Sequence, residues 1–270
     1  MQGVATPRLL VKGVHSPHTY AMRPSDNRAL YVADLLVWVG PDAETFLTKF
    51  ETTLPNDVNR LALREVEGTQ RLEARRGGYW GAERGHNHGA SHASIAHDTH
   101  WDPHYWLDPT NARIWIDAIA TQLGAIDPAN AETYSANAAR TKVRIDELDM
   151  RIKTLLAPVR KSPYVVVHDA FQYFEHRYGL HAVGALLVSD QHQPSAKRLR
   201  ALRAHLGVTR ARCVFYQPQF SKKAVTALVE GTATKASPAD PLGARIPTGP
   251  DHYFTLLQDI SERLAECLAE

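Results

Sequence analysis

The sequence predicts an α/β protein of two lobes, each a parallel sheet flanked by helices, joined by one long rigid helix. Three observations predict it. Short apolar runs of strand length alternate with helix-like segments in both halves of the chain, the pattern of parallel strands joined by crossover helices. Between the halves runs one apolar stripe too long for an ordinary crossover. The chain has 270 residues, 44% of them hydrophobic, enough to bury a core in two small lobes.

In order, Leu9-Leu10-Val11 is a short apolar run, followed by a polar loop to Pro24. Pro24-Ser25-Asp26 opens a helix through Ala33, with proline where a missing N–H does no harm. Leu35 to Gly40 is a continuous apolar run that reads as a buried parallel strand, and Asp42 to Phe50 reads as helical. Residues 68–100 are rich in Gly, Arg and His without apolar periodicity and read as one long mobile loop. Asp108-Pro109 pairs an N-cap with proline at the first helical position, and Gly124 is the expected end of that helix.

Asp127-Pro128 repeats the device. From there Tyr134, Ala138, Thr141, Ile145, Leu148, Ile152 and Leu155 make one apolar stripe, stopped by Pro158. A helix of about 28 residues spans about 42 Å, enough to act as a strut between lobes. The second half alternates again: strands at Tyr164–Val167, Ala182–Val188 and Cys213–Tyr216, helices at Phe171–Tyr178 and Pro194–Leu206 and from Ser221 to Gly231. A closing helix carries Tyr253, Leu256, Leu257, Ile260, Leu264 and Cys267 on its apolar face. The expected division is 1–126 for the first lobe, with a His-rich loop at 84–100, 127–158 for the joining helix, and 159–270 for the second lobe.

Composition narrows the function. Lys plus Arg number 31 and Asp plus Glu 29, a net charge of +2. So even a balance argues against a nucleic-acid binder that works through bulk charge. No run of apolar residues is long enough to span a membrane; the best, Tyr31 to Gly40, is broken by Asp34. The chain has 14 His, and six of them (His86, His88, His92, His97, His100 and His104) crowd into one short stretch. The two cysteines, Cys213 and Cys267, read as one disulfide or as two unrelated buried thiols, and composition alone favours the thiols.

In parallel sheets, ligands bind beyond the carboxyl ends of strands. Four residues sit at such places: His18 after the Leu9–Val11 run, His104 before the Asp108 helix, His168 directly after a strand, and Asp240 in a late loop. Three imidazoles and a carboxylate are a good donor set for Zn2+, whereas oxygen-rich sets suit manganese, calcium or magnesium. Taken singly, each also reads as a solvated loop side chain, or as a histidine bonded to a neighbour such as Asp169. Spacing alone does not bring four loops together.

The phrases around these residues carry more. Ser16-Pro17-His18-Thr19-Tyr20 with Arg23-Pro24-Ser25-Asp26 resembles a metal-ligand segment of the zinc-specific substrate-binding proteins of bacterial ABC importers. So do Leu36-Val37-Trp38-Val39-Gly40, Asp102-Pro103-His104-Tyr105-Trp106-Leu107-Asp108-Pro109, His168-Asp169-Ala170-Phe171-Gln172-Tyr173-Phe174, Pro218-Gln219-Phe220 and Asp240-Pro241-Leu242-Gly243, in the family's order. The resemblance covers nearly the whole chain. It implies a non-enzymatic, monomeric periplasmic carrier that holds one Zn2+ in the interlobe cleft and delivers it to a membrane permease. It implies His18, His104 and His168 as ligands, with Asp240 or water completing the set. His168 stands where manganese-carrying relatives usually have Glu.

His86, His88, His92, His97 and His100 match the position of a His-rich loop that zinc members often carry, a possible weak collecting site or simply a variable solvated loop. Cys213 and Cys267 match a disulfide of zinc members, which fits an oxidising compartment. The match departs in four places. No signal peptide and no first βα unit precede the segment that Gly3–Val11 resembles, which points to a misplaced start or a truncated paralogue. Pro17 replaces an acidic residue of several zinc members, and Gln217 stands where relatives often have Glu. Two other readings use the same residues: a sequestering or adhesin-like zinc binder without transport, and a zinc hydrolase or lyase with Asp169 as base.

Overall fold

The computed structural model describes residues 1–13, 15–75, 78, 80, 100–187, 196–218 and 222–269. The first part of the chain contains α1 (Pro24–Tyr31), β1 (Leu35–Trp38), a 3-10 turn at Thr45–Leu47 running into α2 (Thr48–Glu51), and β2 (Asn59–Ala62). β1 and β2 pair in parallel, Leu35 opposite Asn59 through Trp38 opposite Ala62, and form a sheet of two strands among the described residues. Leu30, Leu36, Trp38, Leu47, Leu54 and Val58 fill a small core around it.

Two long helices follow, α3 (Pro109–Ile126) and α4 (Ala131–Leu156). The Asp108 carboxylate accepts from the Thr110 amide at 2.8 Å, so the predicted N-cap forms. The second part alternates as expected: β3 (Tyr164–His168), α5 (Gln172–Tyr178), β4 (Ala182–Leu187), α6 (Ala196–Thr209), β5 (Cys213–Tyr216), α7 (Lys222–Val229), β6 (Lys235–Pro238) and α8 (His252–Leu268). The sheet is parallel, in the order β4-β3-β5-β6. Every residue of β3 is buried. Val166 and Tyr164 face a core shared with α4, α5 and α8, while Val165 and Val167 face Leu202, Leu206, Val225 and Leu228 from α6 and α7. Helices thus cover both sides, and the strands read as apolar runs for that reason.

The larger core also takes in Leu63, Tyr105, Leu107 and Trp115 from the first half, together with Leu148, Ile152 and Leu156 of α4. The long helix is therefore packed into a core that both halves share. No helix among the described residues is long and apolar enough to cross a membrane.

Several sequence expectations need correction. Leu9–Val11 is not a strand; Leu9 is 49% exposed, and among the described residues no strand pairs with the run. Gly124 does not end its helix, which continues to Ile126. The glycine lies where a Cβ would come within 3.2 Å of the Ala131 Cβ, so it is kept for close approach at the helix junction. The helix expected to end at Leu206 runs on through Gly207 to Thr209, and the turn falls at Arg210, with a φ of 53°. The buried stripe of α4 closes on Leu156, not on Leu155, which is 41% exposed. β2 and β6 carry Asn59, Arg60, Lys235 and Ser237 and so show no apolar run, yet both pair at sheet edges, where one polar side is tolerated.

Candidate metal centre

Three histidines from distant parts of the chain meet. The His18 and His104 ring centres lie 5.2 Å apart, His104 and His168 5.2 Å, and His18 and His168 6.3 Å. His104 and His168 are buried and His18 is half-buried. Each rides on a different device. His168 is the last residue of β3, a strand inside the sheet, and pairs with Leu187 of β4. His104 begins a 3-10 turn, Tyr105–Leu107, whose Tyr105 and Leu107 are fully buried. Asn111 clamps that turn, its side-chain amide donating to the Tyr105 and Gln70 carbonyls at 3.1 and 3.2 Å. His18 sits in a turn held by Tyr20, whose hydroxyl donates to Asp26 at 2.8 Å and whose ring meets Phe46 edge-on at 5.1 Å.

The hydrogen bonds define which ring nitrogen carries the proton. His18 Nδ1 lies 3.1 Å from the Ala43 carbonyl oxygen, His104 Nδ1 2.8 Å from Asp102 Oδ1, and His168 Nδ1 3.2 Å from Gln217 Oε1. Oxygen acceptors face all three Nδ1 atoms, so Nδ1–H donates in each neutral ring and Nε2 carries the lone pair. Asp102 also accepts the His104 backbone N–H at 2.9 Å, which fixes ring and turn together. His18 Nε2 and His104 Nε2 stand 3.4 Å apart. Two lone pairs facing each other at that distance repel unless a cation or proton lies between them. Among the described residues, no group of three or more His, Cys, Asp or Glu side chains is placed so that it could hold a metal ion as it stands. The rings form an open triangle whose Nε2 atoms carry the lone pairs.

Asp240 stands in the neighbouring loop. Its Oδ1 accepts from the Leu242 amide at 3.0 Å and its Oδ2 from the Ala244 amide at 2.8 Å. The next residue, Pro241, accepts from Trp106 Nε1 at 2.8 Å, and the Trp106 ring lies 5.3 Å from the His104 ring. The carboxylate thus organises its own loop, packed against the His104 turn. His100 is exposed, and its carbonyl accepts from the Ala74 amide at 2.9 Å. His86, His88, His92 and His97 lie outside the described residues. Cys213 and Cys267 are bridged, with Cα atoms 6.2 Å apart, tying α8 to β5.

Sequence reading missed the groups that aim the rings. Asp102, two residues before His104, was legible as an Asp-x-His step. Ala43 and Gln217 were not, because one acts through its backbone and the other is brought in by the adjacent strand. Arg75 was also missed. Its Nε donates to Asp169 at 3.0 Å and its Nη2 to the other Asp169 oxygen, while Nη1 reaches Glu175 at 2.6 Å. Burial pushes the Asp169 carboxyl up to about 7, against the opposing pull of that guanidinium.

A family model described as zinc-uptake complex component A periplasmic, ZnuA, matches residues 1–267. The chain is 37% identical over 294 aligned residues to the high-affinity zinc uptake system protein ZnuA of Brucella suis, covering 100% of this chain and 87% of that one. It is 34% identical to the protein of the same description from Yersinia pestis, covering 98% of this chain and 85% of that one. The fold matches the periplasmic zinc binding protein TroA from Treponema pallidum with a TM-score of 0.81 at 22% identity, covering 100% of this chain and 93% of that one. Members of this family are periplasmic substrate-binding components of transport systems and not enzymes. The chain belongs to the ZnuA family of periplasmic zinc-uptake components.

Proposed function

We propose that this chain binds one Zn2+ through His18, His104 and His168, with Asp240 or water as the fourth ligand, and delivers it as a monomer to the membrane permease of an ABC-type importer. The observation that carries the reading is the triangle of imidazoles with every Nδ1 turned to an oxygen acceptor. At Zn–N distances of ~2.0–2.1 Å, two ligands of a tetrahedral ion stand about 3.4 Å apart. The His18–His104 nitrogen separation, 3.4 Å, fits that edge. An all-imidazole set favours zinc over oxygen-preferring cations. The oxygens behind the rings raise ligand basicity and fix orientation.

The same reading divides the chain functionally at 126/127 and 158/159. The interlobe helix, embedded in a shared core, keeps large lobe rotation costly. Titration of metal-free protein with Zn2+ should give one tight site per chain. His168→Ala, which removes the ligand on the most firmly held strand, should lose it. Retention of one full equivalent by that variant would overturn the reading.

A further inference from the structure

The site has a second acidic neighbour besides Asp102, and the fold withholds it from the metal. Asp169 directly follows His168 and is buried. Its backbone N–H donates at 3.0 Å to the carbonyl of Leu187, the residue that pairs with His168, so it continues the strand that carries that proposed ligand. Both its oxygens are taken by one guanidinium, that of Arg75. The same guanidinium neutralises Glu175, also buried, and stacks on the Trp80 ring at 3.8 Å.

Arg75 is itself fixed from every side. The Leu72 amide donates to the Tyr173 hydroxyl oxygen at 3.0 Å, and Gln172 Nε2 donates to the Glu73 carbonyl at 3.1 Å. Further along, Trp80 N–H donates to the Val183 carbonyl at 2.8 Å, and Ala185 N–H to the Gly78 carbonyl at 2.9 Å, so both residues are bonded to β4. On the other side the segment pairs with the residues leading to His104, with Asp102 N–H donating to Leu72 at 2.9 Å and Glu73 bridging to Trp101.

We propose that Arg75 is a specificity-determining positioning residue: by occupying both oxygens of Asp169 it keeps a further carboxylate out of the metal centre and preserves its imidazole-rich character. The inference rests on the zinc-site reading above. Removing the guanidinium leaves two buried carboxylates without a cation, and a divalent ion beside His168 is the nearest source of compensating charge. An added carboxylate donor favours harder, oxygen-preferring ions such as Mn2+ relative to Zn2+.

The test is the ratio of Zn2+ to Mn2+ affinities, measured by direct titration of metal-stripped full-length protein. Changes in groups that support metal ligands alter affinity by about 10–100-fold. Arg75→Met is expected to move the ratio towards Mn2+ by about 10-fold on that scale, with Arg75→Lys in between. Adding Asp169→Asn to Arg75→Met should restore the original ratio. A merely structural loss lowers both affinities in parallel and leaves the ratio unmoved, and that result overturns the proposal. So does a shift that survives Asp169→Asn. If Arg75→Met does not fold, Arg75→Lys is read by the same ratio. Failure of the wild-type chain to bind Zn2+ would instead remove the underlying reading.

Discussion

The two sheets differ in how they hold the proposed metal ligands. The four-stranded sheet is covered on both faces, its strand β3 is buried throughout, and a disulfide pins the closing helix to its neighbour β5. His168 therefore inherits its position from a core. The two-stranded sheet of the first half is small, and Val37 in its middle is 38% exposed. The contacts that place His18 include the Ala43 carbonyl, with Tyr20 on Asp26 and on Phe46 holding its turn. His104 stands between these cases, on a turn locked by Asp102, Asn111 and two fully buried side chains. One ligand is thus built into a scaffold and another is clipped on. A carrier that must both hold and surrender an ion gains from that inequality, because the clipped ligand can leave without unfolding a core.

This contrast can be broken or sharpened by mutation. The largest effect is expected where scaffold and ligand coincide. His168→Ala should abolish tight zinc binding with little change in the fold, read by titration and by thermal melting in parallel. Next is the disulfide. Cys213 and Cys267 are 54 residues apart, and closing a loop of that size is worth about 4 kcal/mol in the chain-entropy model. Reduction, or Cys267→Ser, should lower the unfolding midpoint markedly while the surviving folded protein still binds zinc.

Asp102→Asn should be milder, costing about 10–100-fold in zinc affinity, because the ring stays in place but loses its carboxylate partner. The smallest effect belongs to the clip. The Tyr20 hydroxyl and the Arg23 amide hold the Asp26 carboxyl below its ordinary value. A depressed carboxyl stabilises the fold above the unfolded pKa of about 3.9, and that stabilisation is lost as pH falls through the lower folded value. Asp26→Asn should therefore lower stability slightly at neutral pH, by no more than about 1 kcal/mol, the scale of a helix-capping contact. The gap to the wild type should close on acidification. A gap independent of pH would show that the carboxylate charge plays no part.

Much of the scaffold was legible because strands such as β3 are apolar on both sides and because α1 and α3 begin with Pro-Ser-Asp and Asp-Pro. β2 and β6 were not, since an edge strand with Arg60 or Lys235 carries no apolar run. The break expected at Gly124 failed because that glycine answers a packing need at the α3–α4 junction. The proposed ligands were suggested only by the phrases around them, as no two lie close in sequence. Their convergence is a property of the fold. Arg75 was hidden in a Gly- and Arg-rich stretch, where composition suggests a solvated loop and gives no sign of the buried acids it meets.

The central claim is that three imidazoles bind the ion through Nε2. X-ray absorption spectroscopy on the zinc-loaded protein tests it most directly. The account predicts three imidazole nitrogens at ~2.0–2.1 Å, with one oxygen completing a tetrahedral shell. A shell with one imidazole or none, or one built mainly of oxygen, would contradict it.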